Sequence, residues 1–460
     1  MALVDNDALS TIGEKGKRIW LYPLRVVGRF VRARTLVAWG LIIALFIAPW
    51  IDVAGHPAMF FDFPHRRFYF WGLTLFATDA NYLLFLAGTL VFGVFLFTAV
   101  FGRVWCGWAC PQTVFLESVI RPIEELIEGK PSQRKKLDAA PWTPGKVLKK
   151  GLKLSAFLAV SGMVSTTLVA YFLGRDGVIE AQFDPASHPI GTAFFVAMTG
   201  IMLFDFTWFR EQTCVVVCPY GRFQSVLMDG DSLAIGYDYA RGEPRGKAAK
   251  GGESTEKLGD CVDCKKCVQV CPTGIDIRKG NQLECVNCTA CIDACDSIMD
   301  KLGRERGLIR YSSENSLKGE KTRIIRPRVV FYSVALTAVL IGFFTAVTLR
   351  QPVEIALNRL VGAPFVQLPD GRYQNQVELR IANKSGADKT FSVKLVAPAD
   401  AELFSPFPEF KVTHNQVTKF PILIRQKHPG QRTSGFALQV SDGEKFQERI
   451  DGVFLAPDRE

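Results

Sequence analysis

A polytopic α-helical membrane protein with a cysteine-rich insert and an all-β tail is the fold this 460-residue sequence predicts. Three observations predict it: five long apolar stretches, eight cysteines in a doubled spacing, and period-two alternation beyond Arg350. Composition agrees. A 48% hydrophobic content excludes a disordered or fibrous chain. A net charge of +10 beside 35 phenylalanines does not suit a soluble nucleic-acid binder, so membrane lipid is the expected surrounding and no nucleic-acid partner is expected. The 12 cysteines are too sparse for a disulfide scaffold.

The expected spans are Thr35–Ile51, Tyr82–Phe101, Leu154–Leu173, Ile190–Phe209 and Val329–Leu349, each long enough for a hydrocarbon core of about 30 Å. The fourth is interrupted by Asp205 near one end. Phe68–Ala77 has only ten residues and reads as interfacial or re-entrant. The first span starts too deep in the chain to be a cleavable signal peptide. Loop charges orient the bundle. Lys15, Lys17, Arg18, Arg25, Arg29, Arg32 and Arg34 precede the first span, and Lys130, Arg134, Lys135, Lys136, Lys146, Lys149 and Lys150 separate the second from the third. The next connection has Arg175 against Asp176, Glu180 and Asp184. The N-terminus is therefore expected in the cytoplasm of a bacterial inner membrane and the C-terminus in the periplasm.

This orientation puts every cysteine on the cytoplasmic side or its membrane edge, and His56, His65, His188, His414 and His428 outside. Thiols in a reducing compartment are more often metal ligands or redox groups than disulfides. Between the fourth and fifth spans, the polar insert Arg210–Arg328 carries Cys261-x2-Cys264-x2-Cys267-x3-Cys271-Pro272. After 13 residues comes Cys285-x2-Cys288-x2-Cys291-x3-Cys295. This is the spacing of a two-cluster bacterial ferredoxin, in which each tight loop supplies three thiolates and the other half supplies the fourth. Cys261, Cys264, Cys267 and Cys295 are expected to hold one 4Fe–4S cluster, and Cys271, Cys285, Cys288 and Cys291 the second. Zinc knuckles would not need the doubled four-cysteine rhythm. Asp296 stands where a second proline would be expected.

Two membrane segments end alike, Cys106-Gly107-Trp108-Ala109-Cys110-Pro111 and Cys214-Val215-Val216-Val217-Cys218-Pro219, each followed by a phenylalanine, Phe115 or Phe223. The motifs lie 108 residues apart, as expected of a duplicated hairpin. In a helix, a spacing of four puts both thiols on one face, one turn apart. Four readings stay open: a four-thiolate metal site, two dithiol/disulfide switches, a soft-ligand copper site, and small residues that let helices pack. Asp205, before Cys214, is a functional candidate or a partner of Arg103 or Arg210.

Beyond Arg350, Gln376–Ile381 and Phe391–Val396 alternate cleanly, and Pro-Asp-Gly at 369–371 and Asp-Gly at 442–443 punctuate turns. A seven-strand immunoglobulin-like sandwich is expected, suited to binding or positioning a partner. His56 and His65, with Met59 between them, offer a copper or haem contact, or are ordinary surface residues.

The whole order resembles the cytochrome c oxidase accessory proteins of the FixG/RdxA/CcoG type. It divides into 1–34 basic N-terminus, 35–209 four-span core, 210–328 ferredoxin-like insert, 329–349 fifth helix and 350–460 immunoglobulin-like domain. The resemblance implies assembly of a cbb3-type oxidase by an oxidoreductase that reduces Cu(II) to Cu(I). It places the clusters on the eight insert cysteines, and the redox and copper site on Cys106, Cys110, Cys214 and Cys218. Oxidase subunits, or a copper chaperone or transporter, are the partners it implies. The electron donor and the choice between monomer and homodimer stay open. Two other functions compete: a quinol-oxidising polyferredoxin subunit feeding a periplasmic reductase, and a non-redox assembly scaffold.

Overall fold

The computed structural model describes residues 11, 17–53, 55–64, 67–76, 80–246, 258–360, 362–385, 387–407, 409–427, 429–444 and 446–457. Two compact units divide the chain, Met1–Phe343 and Phe344–Glu460. Five helices are long and apolar enough to cross a membrane: Arg29–Ile47, Tyr82–Phe101, Pro144–Phe183, Pro189–Phe209 and Pro327–Thr348. Leu36, Leu84, Ile190 and Ile341 on them are each more than 60% exposed. Helices that are apolar all round and uncovered need lipid around them.

Two spans begin earlier than expected, for physical reasons. The first starts at Arg29, because the Asp293 carboxylate accepts the amides of Phe30 at 3.3 Å and Val31 at 2.8 Å. The third starts at Pro144 behind a Thr143 cap and runs for 40 residues, broken only at Gly174, whose φ of 72° leaves the helix. At 1.5 Å per residue an unbroken helix would measure about 60 Å, twice the hydrocarbon core. Its first turns are the lysine-rich part of the expected cytoplasmic loop.

Phe68–Ala77 forms no re-entrant helix. Met59–Asp62, Arg67–Phe70 and Leu73–Phe76 make a three-stranded antiparallel sheet, with Met59 opposite Phe70 and Arg67 opposite Phe76. Ala77 lies outside the described residues. Aromatic residues favour a pleated surface, and Phe61 stacks on Phe172 of the third span at 5.7 Å.

In the insert, Ala234–Tyr237 pairs antiparallel with Ile309–Ser312, so residues on either side of the cysteine motifs are joined before and after them. Ile235, Tyr237, Ile292, Met299, Leu308 and Ile309 form the buried core behind the cysteine loops.

The second unit is a two-sheet antiparallel sandwich. One sheet runs Glu402–Phe404, Gln416–Gln426, Tyr373–Asn383 and Val353–Arg359, with Val366–Gln367 added on Tyr373–Asn383. The other runs Phe410–Val412, Lys389–Ala397, Thr433–Ser441 and Gln447–Leu455. That makes nine strands among the described residues, not the seven expected, and Val366–Gln367 has only two residues. The alternation reads through: Val377, Leu379 and Ile381 are buried, as are Ile422 and Ile424 from the neighbouring strand and Leu438 and Val440 from the other sheet.

Candidate functional site

Two loops with the same backbone carry the insert cysteines. Asp263 and Lys265 in the first, and Asn287 and Thr289 in the second, take φ between 48° and 66°, at matching places after Cys261 and Cys285. Such turns are needed to wind C-x2-C-x2-C so that three sulfurs face inward, and they store strain that bound metal repays. Cys295 comes from the helix Ala290–Lys301 and faces the first loop. One cavity is lined by Cys261, Cys264, Cys267 and Cys295. A second is lined by Cys271, Cys285, Cys288 and Cys291, together with Cys267. The two sets expected from spacing are the two sets the fold brings together, and each fits a cubane cluster held by four thiolates. Burial pushes the Cys267 thiol up to about 11 and those of Cys285 and Cys295 up to about 12, so iron binding must displace protons. Asp296, in the place of a proline, instead accepts the Gly307 amide at 3.0 Å.

The membrane-edge motifs depart from the expected single helical face. The helix Val104–Trp108 ends before Cys110, which is extended (φ −62°, ψ 126°) and caps a new helix beginning at Pro111. Cys218 does the same (φ −63°, ψ 108°) before Pro219, and Cys214 lies in a widened turn, Thr213–Val217. Proline forces the preceding residue out of the helix, so the second thiol of each pair turns away from its own helix. The duplication therefore extends to the backbone. It does not extend to the phenylalanines, since Phe115 is buried and Phe223 is exposed.

The four thiols are mutual neighbours. Burial raises Cys106 to about 12, and the charges of Cys110 and Cys218 add to this. Burial also raises Cys214, helped by Cys110, Cys106 and Cys218. Burial also raises Cys110, and the nearby amides of Thr113 and Gln112 act against it.

This group abuts the insert. Cys106 and Cys214 pack, with Cys291, against a buried apolar cluster of Val270, Val286, Cys288, Ala290 and Ala294. A methyl at Gly107 would meet the Val286 carbonyl oxygen at 2.6 Å and the Asn287 carbonyl oxygen at 2.7 Å, so the first motif lies directly on the second cysteine loop. Beside it, Trp108 Nε1 donates to the Tyr311 hydroxyl at 3.0 Å, and Tyr311 donates to the Asn287 carbonyl at 3.1 Å. The Arg103 guanidinium donates to the carbonyls of Leu283 and Gly221, clasping the cysteine loop to the helix after Cys218.

Sequence reasoning missed the charges that hold this edge together. Glu124, 1% exposed, takes two bonds from Arg210 at 2.8 and 2.9 Å and another from Arg134. Glu128 takes Lys150 and Lys153, both at 2.8 Å. Glu211 takes Arg18 at 2.9 Å, and Arg34 donates to the Cys288 carbonyl at 2.8 Å. A loop rich in lysine signals sidedness but not these pairings, which join residues up to 254 apart. Asp205 accepts the Thr213 hydroxyl at 2.5 Å, while the guanidinium of Arg210 goes to Glu124 and that of Arg103 to backbone carbonyls. His56 stacks on Tyr69 at 4.5 Å, and His65 lies outside the described residues.

Three family models match the chain. Residues 209–314 match a 4Fe–4S dicluster domain, 83–132 a 4Fe–4S binding domain, and 343–457 an Ig-like fold at the C-terminal of FixG. Among curated relatives, the chain is 36% identical over 391 residues to Protein RdxA of Cereibacter sphaeroides, covering 81% of each. Protein RdxB of the same organism is 34% identical over 407 residues, covering 84% of each. The nitrogen fixation protein FixG of Rhizobium meliloti is 33% identical over 420 residues, covering 82% of this chain and 79% of that one.

Proposed function

The chain belongs to the family of RdxA, RdxB and FixG, membrane proteins with iron–sulfur domains, and on that premise we propose that it reduces Cu(II) to Cu(I) during assembly of a cbb3-type oxidase. One observation carries the reading: Cys106 and Cys214 at the membrane edge share a buried apolar cluster with Cys288 and Cys291 of the insert. When bound, iron–sulfur clusters supply reversible one-electron transfer, which matches the single electron that separates Cu(II) from Cu(I).

The protein's own residues supply the rest. Cys261, Cys264, Cys267 and Cys295 hold one cluster, and Cys271, Cys285, Cys288 and Cys291 the other. Ile235, Ile275 and Ile277 exclude water from the second cavity. Gly107 and Arg103 keep the thiols at the membrane edge against the second loop. Cu(II) is the substrate, and it takes up its electron at the edge formed by Cys106, Cys110, Cys214 and Cys218. The electrons come from a reductant on the cytoplasmic side. The N-terminus and insert lie in the cytoplasm and the sandwich in the periplasm, where it docks oxidase subunits or a copper carrier. Reporter fusions after Asp184 and Glu460 should read periplasmic, and one at Gly251 cytoplasmic.

Pre-reduced protein mixed anaerobically with Cu(II) and a colorimetric Cu(I) chelator tests the reaction. Wild type should form Cu(I) in proportion to protein, and Cys288→Ser should abolish most of it. Undiminished Cu(I) formation by Cys288→Ser and Cys264→Ser together would refute the proposal.

A further inference from the structure

Eight of the twelve cysteines fill two sets of four, and the remaining four form a third group at the membrane edge. The family model over 83–132 is described as 4Fe–4S binding, yet that stretch contains only Cys106 and Cys110. A cubane takes four thiolates. The fold supplies the other two by bringing the second motif, with Cys214 and Cys218, to the first.

The surroundings of these sulfurs repeat those of the insert. The amide of Asn287 lowers the Cys285 thiol against the burial that raises it, and that of Ala290 does the same for Cys288, each two residues on. The amides of Thr113 and Gln112 act in the same direction on Cys110, where the chain enters a new helix. Gln224, fully buried, sets its amide oxygen 3.1 Å from Cys106 Sγ and leaves its amide nitrogen without a hydrogen bond. Turned over, the same amide would donate to a Cys106 thiolate. Arg103 stands beside both Cys106 and Cys285, a cation shared by two sulfur groups.

We infer that Cys106, Cys110, Cys214 and Cys218 together hold a third 4Fe–4S cluster. Four thiols give up four protons, and the thiolates take up two iron(II), two iron(III) and four sulfide ions, so the core forms with a charge of 2+ and no further oxidant. The inference rests on the proposed function only for its purpose: Cu(II) gains one electron at this edge and leaves as Cu(I), without being ligated by the four sulfurs.

Full-length protein, purified anaerobically and reconstituted with iron and sulfide, decides the matter. It should carry about twelve irons per chain. Cys110→Ala and Cys218→Ala should each bring it to about eight, with the electron paramagnetic resonance of the two insert clusters retained as the check on folding. A wild type holding about eight, its spectrum unchanged in both variants, overturns the inference. The wild-type count decides even where a variant fails to fold. Cu(I) formation by the same samples separates the two readings. Eight irons with intact Cu(I) formation refute the third cluster alone, while twelve irons without Cu(I) formation support the cluster and refute the copper reaction.

Discussion

Gly107→Ala is the sharpest perturbation of the contact between the membrane-edge thiols and the insert. The added methyl would lie 2.6 Å from the Val286 carbonyl oxygen, 2.7 Å from the Asn287 carbonyl oxygen and 2.8 Å from the Asn287 carbonyl carbon. Optimal carbon contacts are about 3.5–4.0 Å, so the two segments must part by roughly 1 Å. All three obstacles are backbone atoms of a strained cysteine loop and cannot rotate aside as a side-chain end could. Overpacking of this kind costs about 1–3 kcal/mol, equivalent to roughly a 5- to 150-fold loss of the docked arrangement. Gly93 is the control: it lies in the second span with nothing within 4 Å, and Gly93→Ala should be neutral or stabilise by about 0.5–1 kcal/mol. The assay is stopped-flow Cu(I) formation by pre-reduced protein, paired with the thermal midpoint in detergent. Gly107→Ala should fall in both, and Gly93→Ala in neither. A Gly107→Ala protein with wild-type rate and midpoint would refute the close approach on which the electron path depends.

Cys264→Ser and Cys288→Ser should each lower iron by about four per chain, and stoichiometric zinc in the wild type would overturn the cluster assignment. Arg210→Met removes two of the bonds to the buried Glu124 carboxylate and leaves it to Arg134, which should cost about 1–3 kcal/mol, read as a drop in midpoint, with Arg210→Lys recovering only part of it. In the sandwich, the Lys389 ammonium holds the Asp442 carboxyl at about 2. A carboxyl depressed on folding contributes stability above its unfolded value near 4, and that contribution is lost as pH falls from about 4 to 2. Residues 344–460 expressed alone should therefore lose stability through that window, and Lys389→Met should flatten the slope.

Local pattern was enough to read much of this protein. Apolar length marks the five spans, because a bilayer sets how many residues must be greasy in a row. Period two marks the sandwich: Val377, Leu379 and Ile381 alternate in sequence and alternate in burial. Cysteine spacing assigned the two sets of four, since loops as tight as Cys261–Cys267 and Cys285–Cys291 leave the sulfurs few ways to face. Where the reading erred, a neighbour in sequence or space had overruled the pattern. Pro111 and Pro219 turned Cys110 and Cys218 off the helical face that spacing of four suggested, and of the two readings of Phe68–Phe76, interfacial or re-entrant, only the re-entrant one gave way, to a sheet.

What only the tertiary structure decided is which distant groups meet. Asp293 capping the first span, Glu124 between Arg210 and Arg134, and Gly107 against the loop of Val286 and Asn287 join residues far apart in the chain. None leaves a periodic or compositional trace, because burying a charge or a glycine is settled by the partner opposite and not by its neighbours in sequence. From the sequence the four cysteines of the membrane motifs could be read as two separate pairs or as one four-thiolate site. Folding decided between these by turning both motifs towards one buried cluster beside Cys288.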